Sequence, residues 1–159
     1  MKYQEDLDIA KENKADNKRL KKQMRRTPER KLDERFHAEH EKAFQDIDCL
    51  ECANCCKTTS PIFRDIDIKR LSKRFRMKPI QFIDEYLRVD EEEDYVLKSS
   101  PCPFLFDDNT CSVYEDRPAA CKEYPHTDRK KMFQIIDLTL KNTEICPAAS
   151  RIVEAMRGI

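Results

Sequence analysis

The sequence is short of several residue types and signals that would give it away. Its 159 residues include one glycine, Gly158, so there is no glycine-rich loop, and tryptophan is absent. No apolar run approaches the ~20 residues needed to span a bilayer. The opening Met1-Lys2-Tyr3-Gln4-Glu5-Asp6 lacks the apolar stretch of a secretory signal. Lysine plus arginine equals aspartate plus glutamate, 31 each, which removes any overall bias toward nucleic acid or membrane. Internal repeats and low-complexity tracts are also missing.

What is present is charge, 39% of the chain, and eight cysteines, none of them before Cys49. The length suits one ordinary domain plus an extension. With no secretory signal the expected compartment is the cytoplasm. Reductants there keep thiols open, so eight cysteines point to metal and away from a disulfide-stapled secreted domain.

Residues 3 to 46 are dominated by charged and long polar residues, with sparse apolar positions such as Leu7, Ala10, Leu20 and Met24. This predicts helix, broken near Thr27-Pro28. Thr27 is expected to cap a second helix that carries Leu32, Phe36, Ala43, Phe44 and Ile47. Residues 11 to 26 hold eight Lys or Arg against Glu12 and Asp16, a local excess of six. Without interleaved aromatics to stack on bases, this reads as a solvated helix and not as a nucleic-acid surface.

Further on, Ile68, Leu71 and Phe75 have helical spacing, as do Phe82, Ile83, Tyr86 and Leu87 after Pro79. The acidic run 90–94 predicts a surface turn and 95–98 a short strand. Prolines keep Pro101-Cys102-Pro103 out of any helix. Asp107-Asp108-Asn109 predicts a hairpin turn, Asp116-Arg117-Pro118 the start of a short helix carrying Cys121, and Pro147 to Met156 a final helix. The fold class expected is mainly α with a small β-hairpin, an irregular α+β cysteine-rich domain. Residues 48–159 would form that domain and 1–47 a charged helical extension.

Chemistry concentrates in Cys49-Leu50-Glu51-Cys52-Ala53-Asn54-Cys55-Cys56. Two-residue spacers let sulfurs converge on one ion, as tetrahedral zinc or an iron-sulfur cluster requires. On a continuous helix Cys49, Cys52 and Cys56 would share a stripe with Cys55 beside it. Adjacent Cys55 and Cys56 point apart, which sends them to different ions or leaves one as a reactive thiol. Cys102, Cys111, Cys121 and Cys146, each flanked by turn residues or proline, are placed to close the site from distant parts of the chain. Eight thiolates suit two four-cysteine zinc sites, or one cubane cluster and a second ion. Such sites stabilise a fold directly. Lys57, Arg117 and Lys122, next to cysteines, are candidates to offset thiolate charge. His126 is expected at the surface, and His37 and His40 facing solvent.

The array Cys49 to Cys56, then Pro101-Cys102-Pro103-Phe104-Leu105, then Cys111-Ser112-Val113-Tyr114-Glu115-Asp116-Arg117-Pro118, then Cys121-Lys122-Glu123-Tyr124-Pro125, resembles the YkgJ-type cysteine-cluster family of zinc- or iron-chelating CxxCxxCC domains. The resemblance covers roughly residues 49 to 150. It implies metal chelation by all eight cysteines, and it implies no particular reaction. Flagellin lysine methylases have a similar cysteine pattern, but with no glycine-rich loop and no room for a methyl-donor domain, methylase activity is not expected here.

Three functions compete at this point. The first is a module that chelates zinc or iron, for structure or for metal handling. The second is an iron-sulfur or thiol-based oxidoreductase or redox sensor acting through Cys55-Cys56. The third is an interaction scaffold that binds a protein partner through residues 1–47.

Overall fold

Alternation of apolar and charged residues at three- and four-residue spacing carries most of this chain into helix. The computed structural model describes residues 2–159, with ten α-helices and one two-stranded antiparallel sheet among them. The mainly α reading with a small hairpin is borne out. The chain divides into two units, Met1–Cys52 with Pro125–Ile159, and Ala53–Tyr124. Residues 1–47 therefore share a unit with the carboxy-terminal helices. No helix among the described residues is long and apolar enough to cross a membrane.

The first unit contains α1 (Gln4–Glu12), α2 (Asn17–Arg26), α3 (Glu29–Asp46), α4 (Cys49–Cys52), α9 (Ile136–Asn142) and α10 (Pro147–Ala155). Its sparse apolar positions are its core: Leu20, Leu32 and Phe36 are fully buried, with Met24, Ile152 and Val153. α10 packs on both α1 and α3. Polar ties reinforce this packing, with Arg151 gripping the Asp6 carboxylate through two nitrogens at 2.7 and 3.1 Å and Arg157 reaching Asp16 at 3.0 Å. The basic excess of residues 11 to 26 is partly neutralised within the unit, because Lys21 pairs with Asp137 and Lys14 with Glu144.

The second unit contains α5 (Asn54–Thr58), α6 (Asp65–Arg74), α7 (Pro79–Tyr86), β1 (Leu87–Val89), β2 (Tyr95–Leu97) and α8 (Ala119–Glu123). β1 and β2 pair in the register Leu87↔Leu97, Arg88↔Val96, Val89↔Tyr95. The core is aromatic. Phe82 stands at its centre, with ring centroids of Phe63, Phe75, Tyr86 and Phe104 between 5.1 and 6.2 Å away. Ile68, Leu71, Leu87, Leu97 and Val113 complete it, and Cys102 and Cys111 pack against it.

Several local expectations are corrected. Thr27 does not open α3; its hydroxyl donates to the Gln23 carbonyl at 2.8 Å and closes α2, while Pro28 occupies the amino-cap of α3. The hairpin lies at 87–97, with the acidic run as its turn. Asp107-Asp108-Asn109 does form a tight turn, with Asn109 at φ 70, but only the single bridge Leu105↔Cys111 follows it. α9 had no sequence expectation.

Candidate metal centre

The cysteine array is not one helix. Ala53 adopts a left-handed conformation with φ 48 and separates α4 from α5, so Cys49, Cys52 and Cys56 do not form the stripe expected of a continuous helix. A left-handed residue reverses the chain direction, and without glycine it costs roughly 1–2 kcal/mol. The two units also meet at this residue in sequence. Cys49 and Cys52 belong to the first, Cys55 and Cys56 to the second.

In the second unit four cysteines from separate segments come together. Cys56 lies on α5, and its carbonyl accepts the Cys102 amide at 2.7 Å, which ties the proline-flanked loop to the helix. Cys111 sits at the bridge to Leu105, and Cys121 on α8. Burial pushes the Cys102 thiol up to about 11, with Cys56 and Cys111 adding to the rise. Burial likewise takes Cys121 up to about 12, reinforced by Cys56, Cys102 and Cys111. Cys111 is raised by burial and by Cys56, against the amide of Val113 and the positive charges of Arg117 and Arg74. These are four thiols within one another's electric fields. Cys56 alone is lowered, to about 7, because the Cys55 side chain hydrogen-bonds to it, with burial opposing.

In the first unit Cys146, like Cys52, is buried. Burial pushes it up to about 12, the Ala149 amide opposes this, and Cys49 and Cys52 add to it. Its sulfur accepts the Ala149 amide at 3.5 Å and so caps α10. Cys56, Cys102, Cys111, Cys121 and Cys146 are unbridged thiols. The donor chemistry fits zinc or iron: thiolate is a soft ligand suited to those metals, while magnesium and calcium demand oxygen.

Of the three cations singled out from sequence, Arg117 is the one whose charge acts on the thiols. Its guanidinium lies 4.0 Å from the Tyr114 ring centroid, and it favours the ionised forms of Cys111 and Cys121. Lys57 and Lys122 are exposed. Neither His37 nor His40 is a simple solvent-facing residue. His37 Nε2 donates to the Arg129 carbonyl at 2.8 Å, and His40 Nδ1 hydrogen-bonds the buried Thr127 hydroxyl at 2.7 Å, so both fasten α3 to the 127–131 segment. His126 is half-buried at φ 65.

Sequence reasoning missed Asp67, Arg70 and Arg74, which hold the backbone around Cys111 and Cys121. The only signal was their three- and four-residue spacing on α6, which reads equally well as an exposed charged face. The carboxylates of Asp90, Glu92 and Asp94 approach one another within 4.8 Å in the hairpin turn. There Asp90 Oδ1 accepts the amides of Glu92 and Asp94, both at 2.9 Å, and its role is to shape the turn.

Residues 48–147 match the family described as "CxxCxxCC: Putative zinc- or iron-chelating domain". No curated protein and no solved structure is significantly similar to the chain.

Proposed function

Because the chain belongs to the CxxCxxCC family, we propose that it is a metal-chelating protein whose eight cysteines bind zinc or iron. Cys56, Cys102, Cys111 and Cys121 form one set, Cys49, Cys52 and Cys146 belong to a second, and Cys55 is the remaining ligand of the eight. The observation that carries this reading is the tie of Cys102 to Cys56 by a 2.7 Å backbone hydrogen bond, with Cys111 at the bridge to Leu105 and Cys121 on α8 near enough for the thiols to act on one another's ionisation. Zinc in such a set would act as a structural cross-link, whereas iron as a cluster would add one-electron chemistry. The protein's own contribution is to pack Cys102 and Cys111 against the aromatic core and to supply Arg74 and Arg117 as counter-charges. We place the protein in the cytoplasm, where thiols stay reduced.

Elemental analysis and an absorption spectrum of anaerobically purified protein test the proposal. About two zinc per chain with no visible absorption supports closed four-thiolate sites. Iron with acid-labile sulfide assigns a cluster instead. Folded protein with no metal overturns chelation.

One observation favours a second reading as a thiol redox sensor. Cys56, lowered to about 7 by Cys55, would be partly thiolate at neutral pH and hence nucleophilic. Alkylation by iodoacetamide across pH 5–9, mapped by mass spectrometry, decides it. A Cys56 rate that follows an ionisation near 7 in the protein as purified supports a sensor, and complete protection by bound metal removes that reading.

A further inference from the structure

Asp67 is fully buried, an expensive place for a carboxylate unless donors surround it. Three do. Its Oδ2 accepts the Arg64 amide at 3.0 Å, and its Oδ1 accepts the Ala119 amide at 3.1 Å and Arg70 Nη2 at 2.9 Å. Burial raises its pKa, but the hydrogen bonds outweigh this and hold it below the usual carboxylate range. The Arg64 contact is a local helix cap. The other two have a different geometry, because they lead to the segment that joins Cys111 to Cys121.

Ala119 is the first residue of α8, the five-residue helix that carries Cys121, and its amino-cap Pro118 supplies no side-chain acceptor. A helix this short does not hold itself together. Asp67 provides the missing acceptor from α6. Arg70, held by Asp67, donates from Nε to the Asp116 carbonyl at 3.1 Å and from Nη2 to the Arg117 carbonyl at 2.9 Å. One turn further along α6, Arg74 donates to Asp116 Oδ2 and to the Ser112 carbonyl, both at 2.9 Å. The backbone from Ser112 to Ala119 is thus hung from one face of α6, with a cysteine at each end.

We propose that Asp67 is the positioning residue of the cysteine site: with Arg70 and Arg74 it fixes the separation and orientation of Cys111 and Cys121 before metal arrives. This rests on the reading that Cys56, Cys102, Cys111 and Cys121 hold one ion. Thiolates set at the right spacing in advance lose less freedom on binding, so Asp67 acts on affinity without touching the metal.

The test uses the full-length chain and zinc, with affinity measured by competition against a chromophoric chelator and urea stability measured on the metal-free protein. The relevant site is the one that Cys111→Ser abolishes. Asp67→Asn keeps the shape but removes the charge and one acceptor, and is expected to weaken zinc at that site about 10- to 100-fold, the range for groups that orient metal ligands. Leu71→Ala, a buried apolar change on the same helix that leaves every hydrogen-bonding group of the clamp in place, is the stability control. Zinc affinity in Asp67→Asn that is unchanged, or that falls no more than in Leu71→Ala at equal loss of metal-free stability, overturns the proposal. Should Asp67→Asn fail to fold, the half-exposed Arg74→Lys decides, since it keeps the counter-charge but cannot hold both Asp116 and the Ser112 carbonyl: a several-fold loss of affinity supports the clamp and wild-type affinity overturns it. If the wild-type chain binds neither zinc nor iron, the chelation reading falls first and takes this one with it. If wild type binds and both clamp variants bind equally well, only the positioning role is lost.

Discussion

The unit made of Met1–Cys52 and Pro125–Ile159 buries aliphatic side chains and Phe36 along helices of up to 18 residues, whereas Ala53–Tyr124 wraps loops around an aromatic cluster. The first satisfies most of its backbone within its own helices. Between β2 and α8 the second has only a single bridge and one turn of 3-10 helix, Tyr114–Asp116. In that stretch order depends on side chains reaching in from elsewhere: the α6 clamp, the packing of Phe104, and the proposed metal. Residues that are plain in a helical unit become struts in a loop-rich one.

Metal removal should separate the two regions most sharply. Bound zinc contributes an apparent ~10–16 kcal/mol of folding free energy in small metallo-domains. Stripping it with a chelator is expected to lower hydrogen-exchange protection across 99–124, least in the 112–119 stretch held by the α6 clamp, while α3 and α10 keep theirs, read by mass spectrometry. Simultaneous loss in α3 would erase the contrast.

A smaller effect probes the helical side. Phe36→Ala should destabilise by about 3–5 kcal/mol, by the same amount with metal as without, in urea titrations. A metal-dependent cost would mean that the helical core is coupled to the cysteines.

Next in size is the pH response of the metal-free chain. Cys102 and Cys121 have folded values raised from 9.0 to about 11 and about 12, so the stability they confer is complete below about 9 and is lost as pH climbs through 11 and 12. Cys56 is lowered from 9.0 to about 7 and works oppositely: its contribution is complete above about 9 and is lost as pH falls through 7. Thermal melts from pH 6 to 11 should therefore show a maximum near pH 9 for metal-free protein, flattened when zinc holds the thiolates. A monotonic rise to pH 11 would contradict the burial of these thiols.

The smallest effect concerns the end of α6. There the Met77 amide bonds the Ser72 carbonyl at 3.0 Å and the Arg76 amide the Lys73 carbonyl at 3.1 Å, a closing motif that places exposed Arg76 at φ 55. Arg76→Gly should stabilise by about 1 kcal/mol, measured in urea, because this sequence spends almost no glycine on its left-handed positions.

Much of this was legible one residue at a time. Phe82 and Tyr86 at helical spacing and the prolines that keep Cys102 out of a helix announce their roles locally. Asp67 does not, because its burial depends on Ala119, 52 residues away. The same is true of the pause in the cysteine array, since alanine carries no mark of a left-handed backbone. The turn at 107–109 was recognised by its chemistry, but a ladder needs a partner strand, and that pairing fell to 87–97. α9 was missed because its buried residues, Ile136, Thr139 and Asn142, are mixed in polarity and show no clear apolar stripe.

The discontinuity of the first unit also bears on how the chain is born. α1 and α3 rest on α10, which begins at Pro147, about a hundred residues after α3 ends. At roughly 5–20 residues per second of synthesis, the helices made first wait on the order of 5–20 s for the helix they pack on. The contiguous stretch 53–124 is complete during that wait. The contiguous unit is thus synthesised in full before the discontinuous one, and the heavily charged early helices suit a nascent segment whose packing partner is made last.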